Sequence, residues 1–257
     1  MTLQPFERDD FLAHIWDYQP GEHVFFCEPT QQGKSYLAYQ LVERTLPQLD
    51  DHRFISLMPK PRDPATREWA SRIGLKIIDT WPPPARWPWQ DKPAGYVLWP
   101  RHSTNATPKD NRERLAGAMR PALRDQYWGG HSITLADDAH IAGVLLGLND
   151  QFEEHLTAGA GMGAGLWLAN QKPSGTVGSG GITSFAYSAP SHLFFGHDSD
   201  ERNIRRFSEI GGVDPDLVAW HVRRLRMWRI PTPHGAKNVS EKLYISKAGP
   251  HMALIGP

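Results

Sequence analysis

The sequence has little of several features that define particular protein classes. Its 257 residues include one cysteine, Cys27, which excludes an internal disulfide and predicts a reducing compartment such as the cytoplasm. No apolar run is long enough to cross a bilayer, and the N-terminus MTLQPFERDDF is acidic where a secretory signal would be basic. The formal net charge is zero, so any contact with nucleic acid requires a local basic patch.

An apolar strand, a polar loop and a helix follow one another early in the chain. Residues 24–27 are apolar, the loop EPTQQGKS follows, and residues 35–46 favour a helix. A helix start offers free N–H groups and partial positive charge to an anion. Gly33 leaves room for the backbone to wrap phosphates, Lys34 can reach the β- and γ-phosphates, and Ser35 can bind Mg²⁺. The predicted nucleotide-binding residues are Glu28, Pro29, Thr30, Gln31, Gln32, Gly33, Lys34, Ser35 and Tyr36.

This phosphate-binding loop (P-loop, residues 28–35) departs from the pattern G-x-x-x-x-G-K-[ST] at its first position. Glu28 stands where that pattern has glycine, so the loop lacks its usual turn residue and gains a carboxylate. The sequence leaves open whether this carboxylate points toward the nucleotide or away from it. If it faces the phosphates, Glu28→Gly is expected to raise nucleotide affinity.

Two further polar segments follow predicted strands. Asp137 and Asp138 end the apolar strand 132–136, and Gln171 follows the strand 165–169. Parallel strands would bring these side chains to the crevice that holds the P-loop. Phosphoryl transfer needs a metal anchor and a group that orients the attacking water. We therefore expect Asp137 to hold Mg²⁺ together with Ser35. The predicted catalytic residues are Asp138, which polarises the water, Lys34, and Gln171, which senses the γ-phosphate or the water, with Asn170 as the alternative sensor. Taken alone, an Asp-Asp pair is also compatible with a solvated turn.

Strands and helices alternate along the chain, which predicts an α/β fold with a mostly parallel central sheet flanked by helices on both faces. Strands are predicted at residues 24–27, 53–58, 75–78, 96–99, 132–136, 165–169, 192–195, 243–246 and 252–255, and helices at 6–18, 35–46, 63–73, 109–127, 150–157 and 200–210. One domain is expected over residues 1–257. It comprises an N-terminal lead-in (1–20), an insertion rich in proline and tryptophan (81–94) and a C-terminal basic segment with closing strands (222–257).

Together these segments resemble the FtsK/HerA family of P-loop ATPases, which translocate or package double-stranded DNA. The run GAGLWLANQKPS is similar to the stretch that carries the sensor in that family, and HLFFGHD and SDERNIRRFSEIGG are similar to the segments after that stretch. The resemblance spans residues 21–212. It implies a RecA-like core that binds ATP and Mg²⁺, and a ring, usually of six subunits, around DNA. A motor domain of this size is most like the viral and phage genome-packaging ATPases. The sequence departs from the family at Glu28 and at Asp138, where glutamate is usual. It also lacks the arginine that often precedes the sensor strand.

Family membership would also require basic residues that act on a neighbour or on DNA. Ring motors place an arginine of one subunit beside the γ-phosphate of the next. The candidates are Arg124, Arg202, Arg205 and Arg206. The DNA-binding candidates are Arg223, Arg224, Arg226 and Lys109, with the loops 105–114 and 174–181 as alternatives. For the basic stretch 221–229, a solvated helix that turns Leu225 and Trp228 inward is favoured over contact with DNA.

These observations predict a Mg²⁺-dependent ATPase that moves double-stranded DNA, located in the host cytoplasm or with a virion. Its expected partners are DNA, further copies of itself and a portal, capsid or membrane protein. An ATP-dependent switch or assembly protein is the first alternative, in which Glu28 and Asp138 would mark weakened hydrolysis. A small-molecule kinase is the second, although kinases usually carry a lid with arginines.

Overall fold

Strands and helices alternate through most of the chain. The computed structural model describes residues 3, 5–49, 53–85, 87, 89, 91–173, 183–232, 235–248 and 251–256. The strands are β1 (Pro5–Phe6), β2 (Val24–Cys27), β3 (Arg53–Leu57), β4 (Leu75–Ile78), β5 (Gly95–Leu98), β6 (Ser132–Ala136), β7 (Ala164–Asn170), β8 (His192–Phe195), β9 (Met227–Thr232), β10 (Gly235–Ser240), β11 (Lys242–Ser246) and β12 (His251–Ile255). The α-helices are α1 (Arg8–His14), α2 (Lys34–Thr45), α3 (Pro64–Ile73), α4 (Pro108–Gly129), α5 (Asn149–Ala158), α6 (Phe185–Ser188), α7 (Glu201–Gly211) and α8 (Pro215–Val222). Leu46–Gln48 and Gly159–Met162 are short 3₁₀ turns, and Ile141–Leu145 is a π-helical turn.

The central sheet has ten strands in the order β1-β12-β11-β8-β2-β7-β6-β3-β5-β4. All neighbouring pairs from β8 to β4 are parallel, whereas β11 runs antiparallel to both β8 and β12. Helical crossovers between parallel strands cover both faces of such a sheet, so its central strands are buried on both sides. The predicted α/β class with a mostly parallel sheet is confirmed.

Two hydrophobic cores lie on opposite faces of the sheet. Along β2, Phe25 and Cys27 point into one core, and Val24 and Phe26 point into the other. Successive side chains of a strand face opposite ways, so a strand buried on both faces is apolar throughout rather than alternating. Full burial of each phenylalanine stabilises the fold by about 1.5–3 kcal/mol.

Local signals in the sequence explain where several elements begin and end. The strands Val24–Cys27, Leu75–Ile78, Ser132–Ala136 and His192–Phe195 have the predicted bounds, and the closing hairpin of β11 and β12 is present. Asp63 caps α3 by accepting a hydrogen bond from the Thr66 N–H at 3.3 Å. Pro121 lies within α4 without splitting it.

Three predictions need correction or fall outside the described residues. The predicted helix 6–18 is shorter, because Pro5–Phe6 instead forms a strand parallel to β12. A helix over the basic stretch 221–229 is wrong, since α8 ends at Val222 and β9 begins at Met227. The hairpin of β9 and β10 has no counterpart in the sequence analysis, because the helix interpretation of residues 221–229 covers the start of β9. The loop 174–181 lies outside the described residues.

The insertion 81–94 falls between β4 and β5, which lie at one edge of the sheet. Trp81 packs edge-on against Tyr96, whereas Trp87 and Trp89 stack on each other with ring centroids 5.1 Å apart. Trp87 and Trp89 are 61% and 77% exposed. Among the described helices, none combines the length and apolar character needed to cross a membrane.

Candidate nucleotide-binding site

Three polar segments meet at one edge of the sheet because the strands that precede them are neighbours. β2 leads into the P-loop, β7 leads into Gln171, and β6 leads into Asp137 and Asp138. The sheet order β2-β7-β6 sets their carboxyl ends side by side, and the strands are parallel. Ligands of open α/β sheets bind at this edge.

The P-loop presents the start of α2 to the crevice. Gly33 adopts φ 92° and Gln31 adopts φ 65°, both in the left-handed region, and α2 begins at Lys34. Only glycine occupies that region without strain, and a Cβ at position 33 would also lie 3.2 Å from the Asn238 carbonyl oxygen. No side-chain hydrogen bond caps α2 among the described residues. The N-terminus of a helix is a ready anion-binding site.

A cavity of about 670 Å³ lies in front of this loop. Its volume lies within the range of small-molecule and cofactor sites. The lining residues are Pro29, Thr30, Gln31, Gly33, Lys34, Ser35, Tyr36, Lys60, Asp63, Ala65, Asp138, Gln171, Arg229 and Asn238. Most of the predicted nucleotide-binding residues therefore surround one cavity, together with Asp138 and Gln171. Glu28 and Gln32 do not line it.

Asp137 is fully buried beside the cavity and is paired with a lysine that the sequence analysis did not identify. Lys60, on the loop after β3, places Nζ 3.2 Å from Asp137 Oδ2. Burial by itself would lower the pKa of Lys60, but the charge and hydrogen bond of Asp137 outweigh burial and raise that pKa. Asp137 Oδ1 has no hydrogen-bond partner among the described residues. A buried carboxylate oxygen without a partner fits a hard cation such as Mg²⁺.

Asp138 and Gln171 face the nucleotide cavity from adjacent strands. Asp138 is 4% exposed, and its Oδ1 accepts a hydrogen bond from the Ile141 N–H at 3.2 Å, which orients the carboxylate. Asn170, the alternative sensor, is instead engaged through its side-chain amide, which donates to the Lys172 carbonyl at 2.8 Å. Of the two candidate sensors, Gln171 is therefore the one that lines the cavity.

The carboxylate of Glu28 points away from the cavity. Glu28 and Lys242 are each 2% exposed and form a buried ion pair. Lys242 Nζ also donates to the Gln32 carbonyl at 2.7 Å and to Ser240 Oγ at 2.5 Å. Burial lowers the pKa of Lys242, and the charge of Glu28 opposes that shift. A Cβ at position 196 would lie 2.6 Å from Glu28 Oε2, so Gly196 provides the space for this pair.

The hairpin of β9 and β10 forms one wall of the cavity. Arg229 and Asn238 are opposite each other in its register, and both line the cavity. Ser240 Oγ fixes the base of the hairpin by donating to the Gln32 carbonyl at 2.8 Å. Sequence analysis missed both lining residues, because position 229 was assigned to a helix and the hairpin carries no motif. The hairpin joins β11, which lies on the other side of β2 from β6 and its two acids.

The four arginines considered for action on a neighbouring subunit lie outside the cavity. Arg124 and Arg202 are exposed on α4 and α7. Arg205 and Arg206 both pair with Glu209, at 3.5 and 2.8 Å. A position away from the subunit's own cavity is compatible with action in trans and does not select one of the four.

The basic residues considered for DNA are largely engaged within the protein. Arg223 pairs with Glu201, and Arg226 Nη2 lies 2.8 Å from Glu241 Oε1. The Arg224 guanidinium lies 3.3 Å from the centroid of the Trp220 ring. Lys109 Nζ is 3.8 Å from Glu113 on an exposed face of α4. Two of the three arginines are thus neutralised by a carboxylate, which reduces the positive field of this cluster.

Comparison with solved structures identifies the fold. The genome packaging NTPase B204 from Sulfolobus turreted icosahedral virus 2, in complex with AMPPCP, matches with a TM-score of 0.55 at 15% identity, over 93% of this chain and 100% of that chain. Its complex with ATP-gammaS matches with a TM-score of 0.56 at 15% identity, over 93% and 99%. B204, the DNA-packaging ATPase from Sulfolobus turreted icosahedral virus, matches with a TM-score of 0.54 at 14% identity, over 93% and 99%.

Sequence comparisons add no further relative. No protein-family model matches the chain, and a search of curated proteins finds no match. At this level of identity the structural similarity shows that the chain shares the fold of these packaging NTPases, and the roles of individual residues must be argued from the site itself.

Proposed function

We propose that this protein is a Mg²⁺-dependent ATPase that translocates double-stranded DNA, acting as a viral genome-packaging motor. The single observation that carries the proposal is the cavity in which the start of α2 faces Asp138 and Gln171 across neighbouring parallel strands. A helix N-terminus and Lys34 provide the charge complement of a triphosphate. Asp138 and Gln171, on the opposite side of the cavity, provide the groups that activate and orient the attacking water, which hydrolysis requires in addition to ATP binding.

In this proposal each side chain has a stated task. Lys34 and the first-turn N–H groups hold the β- and γ-phosphates and stabilise the charge that develops on the transferring group. Ser35 and Asp137 would hold Mg²⁺, which when bound neutralises phosphate oxygens and orients the triphosphate. Asp138 accepts a proton from the attacking water, and Gln171 holds that water by hydrogen bonds.

The DNA-related part of the proposal has two supports. The neighbours of similar fold are a genome packaging NTPase and a DNA-packaging ATPase, and the chain covers almost the whole length of each. The second support is the resemblance of residues 21–212 to motors of the FtsK/HerA type. A ring, usually of six subunits, with an arginine donated in trans, and residence in the host cytoplasm or the virion are implied by the same resemblance.

The alternative of a switch protein with weak hydrolysis is less well supported. It relied in part on Glu28 as a negative charge in the phosphate site, and that carboxylate is paired with Lys242 outside the cavity. The remaining departure, Asp138, still presents a carboxylate to the cavity.

The test is steady-state ATP hydrolysis with and without duplex DNA, with particle size followed by light scattering. Lys34→Ala is expected to abolish turnover, and Asp138→Asn to lower it by about 10²–10⁴-fold while ATP still binds. Arg120→Gln, an exposed change on α4 outside the candidate DNA-contacting segments, is the control. Tight ATP binding by wild type with no turnover, with or without DNA, would refute the motor and favour the switch.

A further inference from the structure

A second cavity lies at the same edge of the sheet as the nucleotide site. It is a groove of about 960 Å³ at the carboxyl ends of β3, β4 and β5. The first turn of α3 separates the two cavities, since Ala65 lines the nucleotide site and Arg67 lines the groove. No described residue of the phosphate-binding loop or of the acid pair reaches the groove.

The groove is positively charged within a chain of zero net charge. Four cationic side chains line it, namely Arg62, Arg67, Lys76 and Arg101. Asp79 is the one acidic residue among the described lining residues, so four positive charges face one negative charge and the net is +3. Asp79 lies 3.5 Å from Arg101, and both side chains are more than half exposed, so this pairing is weak. Such a surface attracts a polyanion.

Prolines restrict the backbone in the walls of the groove. Prolines at positions 61, 82, 84 and 100 line it, and the indole of Trp99, which is 7% exposed, forms part of its floor. The Arg67 guanidinium lies 4.9 Å from the centroid of the Trp99 ring. A stacked guanidinium keeps the N–H groups at its edge available for phosphate oxygens, and stacking reduces the entropy lost when they bind.

Hydrogen bonds connect this groove to the nucleotide site through the Lys60 loop (residues 59–62). Trp99 Nε1 donates to the Lys60 carbonyl at 2.7 Å, and His102 Nε2 donates to the Pro59 carbonyl at 2.9 Å. The side chain of Lys60 leaves the same loop in the other direction and pairs with Asp137. A ligand that contacts Trp99 therefore acts on a residue that is hydrogen-bonded to Lys60. Lys60 in turn is the ion-pair partner of Asp137, the proposed metal ligand.

We infer that the groove between β4, β5 and the start of α3 binds the phosphodiester backbone of duplex DNA, and that the Lys60 loop transmits its occupancy to the nucleotide site. The inference rests on the proposed function for the identity of the polyanion. The groove offers several separated cations, which suits the repeating charges of a phosphate backbone. Of the basic residues described, those of the groove are less neutralised by carboxylates than those of the segment 223–226.

The experiment measures duplex DNA affinity by fluorescence anisotropy over a series of salt concentrations, in the presence of ATP-gammaS. The double variant Arg62→Gln/Arg67→Gln is compared with Arg72→Gln/Arg120→Gln, which removes the same charge from exposed positions on α3 and α4, away from the groove and from the other candidate DNA contacts. We expect the groove variant to bind at least about 10-fold more weakly, and the slope of log K against log salt to become shallower by about 2. The control should stay close to wild type.

The rate of ATP hydrolysis distinguishes DNA binding in the groove from transmission of its effect to the nucleotide site. The groove variant should keep its basal ATP hydrolysis and lose stimulation by DNA. Trp99→Phe retains the ring that supports Arg67 but removes the hydrogen bond to the Lys60 carbonyl, so it should keep DNA affinity within about 2-fold and lose most of the stimulation. Lys76→Gln/Arg101→Gln provides a second groove variant if the first melts at a lower temperature than wild type.

The outcomes distinguish the inference from the proposed function. If wild type hydrolyses ATP and binds duplex DNA but both groove variants bind like the Arg72→Gln/Arg120→Gln control, the groove is not the DNA site and the inference alone is overturned. Stimulation that survives in Trp99→Phe would overturn the role of the Lys60 loop. Tighter binding of single-stranded than of duplex DNA by the groove would also overturn the assignment. Absence of both hydrolysis and DNA binding in wild type would overturn the proposed function itself.

Discussion

Replacing Glu28 by glutamine tests the most unusual feature of the P-loop. In the native state Lys242 is 2% exposed and meets the Glu28 carboxylate, the Gln32 carbonyl and Ser240 Oγ. Glu28→Gln keeps the size of the side chain but removes the negative charge, so Lys242 is left as a buried cation without a counter-ion. Breaking a buried ion pair in this way typically costs about 3–5 kcal/mol.

The ionisation of Lys242 sets an upper limit on that cost. A lysine in a hostile environment can release its proton instead of remaining charged. From the ordinary pKa of 10.5, deprotonation at pH 7 costs about 5 kcal/mol, at about 1.4 kcal/mol per pH unit. We therefore expect Glu28→Gln to lose about 3–5 kcal/mol of unfolding free energy, measured by urea denaturation with tryptophan fluorescence.

The pH dependence of the unfolding free energy and a double variant test whether the unpaired charge of Lys242 causes the loss of stability in Glu28→Gln. In Glu28→Gln the folded-state pKa of Lys242 is depressed further, so the unfolded state binds more protons and stability rises with pH. The deficit relative to wild type should shrink by about 1.4 kcal/mol per pH unit above pH 7 once the lysine is neutral. Glu28→Gln/Lys242→Met should recover most of the loss, because replacing both partners of a buried pair is often near neutral.

Two results would refute this reasoning. The first is a free energy of unfolding for Glu28→Gln that lies within about 1 kcal/mol of wild type, because a buried pair with the assigned role costs more than that to break. The second is a gain in nucleotide affinity in Glu28→Gly, which is not expected because the carboxylate does not face the cavity. Tighter nucleotide binding by Glu28→Gly would place the charge beside the phosphates and contradict the geometry.

Three further predictions concern the site and the core. Lys60→Ala leaves Asp137 without its partner, so the metal-free protein should melt about 4–8 °C lower, and Mg²⁺ with ATP-gammaS should remove most of the difference in a thermal scan. Arg229→Ala should weaken the binding of AMP and of ATP by the same factor, about 5–10-fold by calorimetry, because the hairpin lies on the side of β2 away from the acids. Lys34→Ala should instead weaken ATP binding more than AMP binding. Burial lowers the pKa of His23 to about 4, so the contribution of His23 to stability is complete above pH 6.5 and falls by about 1.4 kcal/mol per pH unit down to pH 4. In urea titrations His23→Gln should therefore show a weaker dependence of unfolding free energy on pH between 4 and 6.5 than wild type. An unchanged pH dependence in the variant would contradict this assignment.

The sequence determined the elements that depend on local patterns. Apolar runs buried on both faces of the sheet were recognised as strands, because each is short and bounded by turn residues or helices. The glycine and lysine of the P-loop and the acids after β6 could be assigned because a strand followed by a polar group has a defined position in a parallel sheet. Their convergence on one cavity results from the order of β2, β7 and β6.

Only the tertiary structure decided the features that join distant parts of the chain. Glu28 and Lys242 are 214 positions apart, and Lys60 and Asp137 are 77 positions apart, so no local pattern relates either pair. The hairpin that brings Arg229 to the cavity is fixed by pairing between β9 and β10 and by its contact with the P-loop backbone. Ion pairs and cavity walls depend on the distance between side chains after folding. The chemistry of the P-loop was therefore readable in sequence, whereas the direction of its unusual carboxylate was settled by a lysine near the other end of the chain.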